Sequence, residues 1–235
     1  MYICGLQKST LLDFPEHIAC TIFTGGCNFK CPWCHNKILV NYLKLGTQLS
    51  DAYIFDFLNS RIGILDGVAI TGGEPLMQSD IQEFISKIKD LGFKVKIDTN
   101  GYFPNILLRL LDSNLVDYVA MDVKNCRGKY SETCGLNNME TTLIWDSIDI
   151  IKNWGGEYEF RTTVIDELHT EEDIDQIGRW VEGAKRHYIQ PYKQPEDIIN
   201  ESEVIFHTPE NSKLFKFQDI LSQYVQQVEI RGVLV

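Results

Sequence analysis

The sequence contains no long uninterrupted hydrophobic segment. No apolar run approaches the roughly 20 residues that a helix needs to cross a bilayer, and residues 1–13 lack the basic and then apolar order of a secretory signal. The seven cysteines are an odd number for a set of disulfides. We therefore expect a soluble protein of a reducing cytoplasm, with no membrane partner.

Positive charge is also scarce. The chain has 22 Lys and Arg residues against 33 Asp and Glu residues, a formal net charge of −11 at pH 7. Proteins that bind nucleic acids cluster Lys and Arg to neutralise phosphates, so no nucleic-acid partner is expected. Repeats, low-complexity tracts and Gly/Ser linkers are missing as well. This favours a single domain over residues 1–235, with a core at about 18–190 and an extension on each side.

Three of the cysteines lie in one short segment, TGGCNFKCPWCHN, at Cys27, Cys31 and Cys34. Thiolates are soft ligands that suit zinc, copper(I) and iron-sulfur clusters, and this spacing allows three of them to converge on one centre. A closed structural site has four protein ligands, whereas three leave a coordination position open for a small molecule. The segment therefore predicts a metal or cluster site with an open position.

The cysteine segment also matches the motifs of other kinds of site. Cys31 and Cys34 alone form a dithiol redox motif, and together with His35 they form a haem-attachment motif. Haem attachment normally accompanies an export signal, and a redox pair leaves Cys27 unexplained. A zinc site of the three cysteines and His35 stays open, although adjacent residues rarely point at one metal. An iron-sulfur cluster is the favoured interpretation.

Apolar, β-branched segments of strand length alternate with helical patterns along most of the chain. A repeated βα order implies a parallel sheet with right-handed crossovers. Six units are too few for a complete eight-stranded barrel, so we predict an α/β fold, an open partial (β/α)6 barrel of parallel strands. The predicted strands are 19–24, 67–71, 94–98, 118–123, 157–164 and 187–190. The predicted helices are 51–61, 80–91, 104–112, 141–153 and 170–183, with a further helix at 211–222 and a last strand near it.

Chemically active groups follow the predicted strands. In parallel α/β barrels the carboxyl ends of the strands form the face where sites assemble, so we expect these groups to share one site. In strand order they are the cysteine segment, Gly72-Gly73-Glu74-Pro75, Asp98-Thr99-Asn100-Gly101, Asp122-Val123-Lys124, Arg161 and Gln190-Pro191-Tyr192-Lys193.

The cysteine spacing, with Trp33 before the last cysteine, resembles the signature of the radical S-adenosylmethionine (radical SAM) enzymes. The preceding GLQKSTLLDFPEHIACTIFTGG resembles the activating enzymes of glycyl-radical enzymes, most of all those of anaerobic ribonucleotide reductase. The resemblance runs over nearly the whole chain and is densest up to Lys124. It implies a [4Fe-4S] cluster ligated by Cys27, Cys31 and Cys34, whose fourth iron chelates the amine and carboxylate of SAM, with Trp33 near the adenine.

The resemblance also implies roles for groups outside the cysteine segment. Gly72 and Gly73, which on their own equally suit a tight turn, resemble with Glu74 a motif that holds the SAM amino group. Lys124 would offset the charge of the SAM carboxylate. Some activating enzymes have a histidine at the position of Lys193, and its polar contact to SAM would here come from Gln190 or Arg161.

Two acidic residues end neighbouring predicted strands. Close carboxylates favour a shared proton or a cation between them, and a buried pair of Asp98 with Lys124 is the structural alternative. A resemblance to pyruvate formate-lyase activating enzymes implies a monovalent cation beside SAM, held by Asp98, Asp122 and the carbonyls of Thr99 and Ala120.

The four remaining cysteines are too few for an added cluster domain. Cys4 and Cys20 are expected to be buried thiols, and Cys126 and Cys134 to be buried or, alternatively, a surface redox pair.

The resemblance implies reductive cleavage of SAM to a 5′-deoxyadenosyl radical. That radical would abstract a hydrogen atom from a glycine of a partner, expected to be anaerobic ribonucleotide reductase, with a flavodoxin- or ferredoxin-type electron donor. The alternatives are a pyruvate formate-lyase type activating enzyme, a radical SAM enzyme acting on a small molecule or peptide, and a zinc-organised binding module.

Overall fold

The computed structural model describes residues 1–41, 48–194 and 205–232. Within these ranges, eight strands form one sheet in sequence order. The first strand pairs antiparallel with the second, and every later pair is parallel. The strands are β1 (Ile3–Thr10), β2 (Ala19–Thr24), β3 (Gly67–Gly72), β4 (Lys94–Thr99), β5 (Tyr118–Asp122), β6 (Glu157–Val164), β7 (Arg186–Pro191) and β8 (Gln227–Ile230).

Helices connect the parallel strands and cover the outer face of the sheet. In the described ranges they are α1 (Lys37–Val40), α2 (Asp51–Asn59), α3 (Ile81–Asp90), α4 (Pro104–Asp112), α5 (Tyr130–Thr133), α6 (Thr142–Asn153), α7 (Glu171–Trp180) and α8 (Asn211–Leu221). Helix α3 shows why such segments fold: Ile81, Phe84, Ile85 and Ile88 recur at helical spacing and all are buried. No helix in these ranges is both long and apolar enough to span a membrane.

The sheet curls into a partial barrel. Phe14, just before β2, packs edge-on against Tyr118 of β5, with ring centroids 6.1 Å apart. His35, which follows β2, contacts the carbonyl of Lys193 beyond β7 at 2.7 Å. Neighbouring strands lie about 4.8 Å apart, so a flat sheet would separate β2 from β7 by roughly 24 Å. Only a curved sheet allows both contacts.

The predicted α/β fold with a parallel sheet is confirmed, and the strands predicted at 19–24 and 157–164 have those bounds. The predicted number of strands is too small. The expected last strand is β8, but β1 was not predicted, because it is an antiparallel edge strand whose second half, Gln7, Lys8 and Ser9, is exposed and polar. Helix α7 begins with a capping box between Thr170 and Asp173.

The two faces of the sheet differ in chemical character, and this difference positions the site. On β5, Val119 and Met121 join the main hydrophobic core, whereas Ala120 packs inside the barrel against Phe14. Because strand side chains alternate between faces, Asp122 lies on the same inner face as Ala120. The inner face therefore becomes charged toward the carboxyl ends of the strands.

Candidate active site

A cavity of about 240 Å³ lies at the carboxyl ends of the parallel strands. It brings together all but one of the residues predicted to hold the cluster, SAM or the cation, namely Cys27, Cys31, Trp33, Cys34, Gly72, Gly73, Glu74, Asp98, Thr99, Asp122, Lys124, Arg161 and Gln190. The exception is Ala120, which is buried in the barrel interior against Phe14, Ala19 and Tyr118. Residues from six consecutive strands or their following loops thus share one enclosure.

The cysteine loop between β2 and α1 is held by its own backbone. Gly26 donates to the carbonyl of Leu39 at 2.8 Å, and the N–H of Cys34 donates to the carbonyl of Cys31 at 3.1 Å. Phe29 is buried in the main core and anchors the middle of the loop. Its N–H donates to Sγ of Cys27 at 3.4 Å. The loop therefore presents three half-buried cysteines from a fixed backbone.

The two glycines after β3 allow the strand to meet the cysteine loop. Gly72 has φ +122°, and a Cβ added to Gly73 would lie 1.8 Å from the carbonyl oxygen of Gly26. The N–H of Gly73 donates to the carbonyl of Thr24 at 2.9 Å, and that of Glu74 to the carbonyl of Gly26 at 2.8 Å. Close approach of two backbones, which only glycine permits here, is the local reason for the motif.

Glu74 is fully buried and accepts three hydrogen bonds from the chain. Oε1 accepts from the N–H of Leu76 at 3.1 Å and from Oγ1 of Thr99 at 2.8 Å, and Oε2 accepts from the N–H of Asn100 at 2.7 Å. Burial raises the pKa of Glu74 to about 7, although these donors act in the opposite direction. A carboxylate has about four acceptor positions, and these three donors fill all but one of them.

Five charged side chains, one buried and four half-buried, form a network beside the cavity. Nε of Arg161 donates to Oδ1 of Asp122 at 2.8 Å, and its Nη1 donates to Oδ2 of Asp98 at 3.2 Å. Nζ of Lys124 donates to Oδ2 of Asp122 at 2.8 Å. Nζ of Lys96 lies 2.8 Å from Oδ1 of Asp98, as an ionic contact rather than an aligned hydrogen bond. Each carboxylate thus has two cationic neighbours.

The network favours the charged forms of Asp122 and Lys124. Burial acts to raise the pKa of Asp122, but the neighbouring Arg161 and Lys124 outweigh it and lower that pKa to about 2. Burial likewise acts to lower the pKa of Lys124, and the Asp122 carboxylate reverses this, so the pKa lies above its usual value. The structural alternative of an Asp98–Lys124 pair is wrong, because Lys124 pairs with Asp122.

The expected monovalent cation site does not fit this arrangement. It requires Asp98 and Asp122 to face a shared space, but the guanidinium of Arg161 joins them. Since cationic side chains already neutralise both carboxylates, we assign no metal ion to this position.

Trp33 forms one wall of the cavity. Its ring is buried with Ile165 and Tyr192, and its Nε1–H donates to the carbonyl of Thr133 at 3.0 Å. Nζ of Lys124 lies 5.1 Å from the ring centroid, within reach of a cation–π interaction. The indole is therefore fixed in place at the side of the cavity where Lys124 lies.

His35 is directed away from the cysteines. Its ring contacts the carbonyl of Lys193 and stacks on Tyr192, with ring centroids 5.3 Å apart. Among the described residues, no three His, Cys, Asp or Glu side chains are placed to hold a single metal ion. A zinc site of the three cysteines and His35 is therefore not assembled among the described residues.

The remaining cysteines are not a surface redox pair. Cys126 and Cys134 are both buried, and Sγ of Cys126 donates to Oδ1 of Asp173 at 3.3 Å. Cys20 is buried as expected, whereas Cys4 is only half-buried, in edge strand β1.

Two side chains without a predicted role also approach the cysteines. Asn100 contacts Cys27, 73 positions away, and the Cys134 side chain lies close to that of Cys31. The position of Asn100 in a polar segment at the end of a predicted strand was the sequence feature that could have indicated its contact with the cysteines. No sequence feature indicated the contact of Cys134.

Comparison with known proteins gives the family. A family profile described as the radical SAM superfamily matches residues 21–181. A protein of Methanocaldococcus jannaschii, named as a candidate glycyl-radical enzyme activating enzyme, is 34% identical over 236 residues, which cover 98% of this chain and 96% of the relative. A second M. jannaschii protein with the same description is 26% identical over 219 residues, covering 88% and 78%.

Solved structures share the fold. A domain of pyruvate-formate lyase-activating enzyme from Bacteroides vulgatus has a TM-score of 0.54 at 18% identity, covering 71% of this chain and 99% of that one. SuiB of Streptococcus suis, solved with S-adenosylmethionine bound, has a TM-score of 0.64 at 14% identity, covering 88% and 48%. The profile spans more than half of the chain, and the first relative matches nearly all of it. The chain is therefore a member of the radical SAM superfamily, a family of enzymes that use a [4Fe-4S] cluster and S-adenosylmethionine.

Proposed function

We propose that the chain is the activating enzyme of a glycyl-radical enzyme, and that this partner is anaerobic ribonucleotide reductase. The observation that carries the proposal is the 34% identity to a relative named for this activity, over 98% of this chain and 96% of the relative. A match of this extent leaves little of either chain for a different substrate-binding unit. The ribonucleotide reductase as partner rests on the resemblance of the segment before the cysteines.

We assign Cys27, Cys31 and Cys34 as the ligands of the cluster. All three line one cavity from a loop that four neighbouring backbone and side-chain contacts hold in place, and thiolates are the ligands that such clusters prefer. When bound, the cluster and SAM supply a 5′-deoxyadenosyl radical. The protein's part is to orient SAM and exclude competing reactions.

The other cavity residues offer SAM complementary groups. The remaining acceptor position of Glu74 suits the ammonium of SAM, with Gly72 and Gly73 beside it. Lys124, held between Asp122 and the Trp33 ring, offers a positive charge to the carboxylate, and Trp33 offers an aromatic surface to the adenine.

Gln190 and Arg161 complete the polar lining. Both are half-buried at the carboxyl ends of β7 and β6, and each offers side-chain donors to SAM in place of the histidine found in some activating enzymes. Lys193 itself is exposed. Because Arg161 is engaged with two carboxylates, Gln190 is the freer of the two donors.

We further propose that residues 1–235 act as one domain in the cytoplasm and that a flavodoxin- or ferredoxin-type protein supplies the electron.

The second candidate function is activation of pyruvate formate-lyase, which the likeness to the Bacteroides vulgatus domain favours. Relatives named 7-carboxy-7-deazaguanine synthase, one of them 28% identical over 148 residues, support a third candidate, chemistry on a small molecule.

The test is to mix anaerobically reconstituted, reduced protein with SAM and each candidate partner. With the ribonucleotide reductase we expect 5′-deoxyadenosine and the paramagnetic doublet of a glycine-centred radical, which is lost when the partner's radical glycine is changed to alanine. A radical on pyruvate formate-lyase alone would select the second candidate. SAM cleavage coupled to turnover of a small metabolite, with no protein radical, would contradict an activating function.

A further inference from the structure

Asn100, in the loop after β4, faces the cysteine loop. Its Nδ2 donates to Oδ1 of Asn28 at 2.8 Å and lies 3.8 Å from Sγ of Cys27, within the range of a hydrogen bond to sulfur. Its Oδ1 accepts from the N–H of Tyr102 at 3.0 Å. This second contact fixes the orientation of the amide, because it requires the oxygen to face Tyr102. The donating nitrogen therefore faces the sulfur.

Cys134 approaches the same loop from another direction. The segment 130–135, which contains α5, packs on the cysteine loop through backbone contacts. The N–H of Lys30 donates to the carbonyl of Cys134 at 2.9 Å, and Nε1 of Trp33 donates to the neighbouring carbonyl of Thr133 at 3.0 Å. A Cβ on Gly135 would lie 2.2 Å from the carbonyl of Lys30, so the two backbones are in direct contact.

These contacts bring the thiol of Cys134 to a cysteine of the loop. The Cys134 side chain is fully buried and lies close to that of Cys31. A thiol S–H is a weak donor and a thiolate sulfur is an acceptor. The Cys134 thiol is therefore placed to donate to the sulfur of Cys31.

Donors aimed at ligand sulfurs change how easily a cluster accepts an electron. Reduction adds negative charge, which spreads onto the sulfurs, and hydrogen bonds to those sulfurs are among the factors that set the potential. In a buried site such bonds are not weakened by competing water. Asn100 is 6% exposed and Cys134 is 0% exposed, so both meet this condition.

We propose that Asn100 and Cys134 are positioning residues that donate hydrogen bonds to the ligand sulfurs of Cys27 and Cys31, and that these bonds raise the reduction potential of the bound cluster. The proposal rests on the assignment of these cysteines as cluster ligands. It makes the electron-accepting step depend on two loops outside the cysteine segment, one following β4 and one following β5.

The experiment is a redox titration of the reconstituted protein, followed by the paramagnetic signal of the reduced cluster. Cys134→Ala removes the donor, and we expect a tenfold smaller equilibrium constant for one-electron reduction, a potential about 59 mV more negative. Cys134→Ser retains an O–H donor and should stay closer to the wild-type potential. Asn100→Asp keeps the acceptor for Tyr102 but removes the donor, and should shift the potential in the same direction as Cys134→Ala.

The matched control is Cys126→Ala. Cys126 is also a buried cysteine of this region, but its thiol donates to Asp173 rather than to a sulfur of the loop. The cluster of Cys126→Ala should therefore have the wild-type reduction potential. A full cluster with unchanged potential in both Cys134→Ala and Asn100→Asp would overturn the proposal. Loss of iron from Cys134→Ala and Cys134→Ser would overturn it too, since Cys134 would then be a ligand. Wild-type protein that holds no cluster would instead overturn the ligand assignment.

Discussion

At the scale of single residues, the site depends on buried charges that neutralise one another. Arg161 is the centre of this arrangement because it contacts both Asp98 and Asp122. Without Arg161 each carboxylate would keep one lysine neighbour but lose an aligned, charge-assisted hydrogen bond. The sequence placed Arg161 at a strand end beside these acids, yet it could not reveal which charges would pair. Those pairings depend on the curvature of the sheet and not on local sequence.

Arg161→Leu should therefore destabilise the protein strongly. We expect a loss of about 2–4 kcal/mol in the free energy of unfolding, measured by chemical denaturation, because Asp98 and Asp122 each lose a charge-assisted hydrogen bond. The control is Arg179→Leu, which removes an exposed guanidinium that lies 3.0 Å from Asp175 on α7. That change should cost at most about 1 kcal/mol. Equal effects of the two substitutions would contradict the pairing described for Arg161.

A second residue, His187 on β7, makes stability depend on pH. It is completely buried, its Nε2 lies 2.9 Å from Oγ1 of Thr162, and its Nδ1 has no hydrogen-bond partner within the described ranges. Burial lowers the pKa of His187 from 6.5 to about 3. Between these two values the unfolded chain binds a proton that the folded protein does not, so stability is lost as pH falls from 6.5 toward 3.

Replacement by an apolar ring should remove this contribution. In His187→Phe the free energy of unfolding should fall less steeply with decreasing pH, by up to about 1.4 kcal/mol per pH unit between 6.5 and 3. Denaturation curves recorded at pH 7, 6 and 5 for both proteins measure the difference. Parallel pH profiles would mean that His187 titrates normally in the folded state.

At the scale of the elements, the site is assembled where strand ends meet the cysteine loop. The β-branched strands and the polar residues at their ends were predictable, because alternation and burial leave a clear pattern in the sequence. The contact of Asn100 with Cys27 and the packing of segment 130–135 on the loop were not. They join residues 73 or more positions apart, and backbone approach of this kind has no local signature apart from glycine.

Gly73 is the position where this assembly can be tested. Gly73→Ala would place a Cβ 1.8 Å from a backbone oxygen that cannot move aside, so the end of β3 and the cysteine loop must separate. We expect reduced iron content after reconstitution and a lower Tm. Gly128→Ala is the control, since a Cβ there meets nothing within 4 Å. Wild-type iron content in Gly73→Ala would show that the loop does not depend on this approach.

At the scale of the whole molecule, the curled sheet gathers groups from six strands into one cavity that faces the carboxyl ends. The fold class and most cavity residues followed from the sequence, because a parallel βα order forces the strand ends onto one face. The edge strand β1 did not follow, since its polar half carries no burial pattern. Nor did the pairing of Arg161 with both acids, which replaced the expected cation site.

The central claim is that the cavity delivers a radical to a glycine of a protein partner. The most direct measurement is isotope transfer. The reduced, reconstituted protein is incubated with SAM and a ribonucleotide reductase that carries α-deuterated glycine, and the 5′-deoxyadenosine formed is analysed by mass spectrometry. We expect one deuterium in 5′-deoxyadenosine, matched by the amount of glycyl radical formed. Cleavage of SAM that yields unlabelled 5′-deoxyadenosine in the presence of the labelled partner would contradict it.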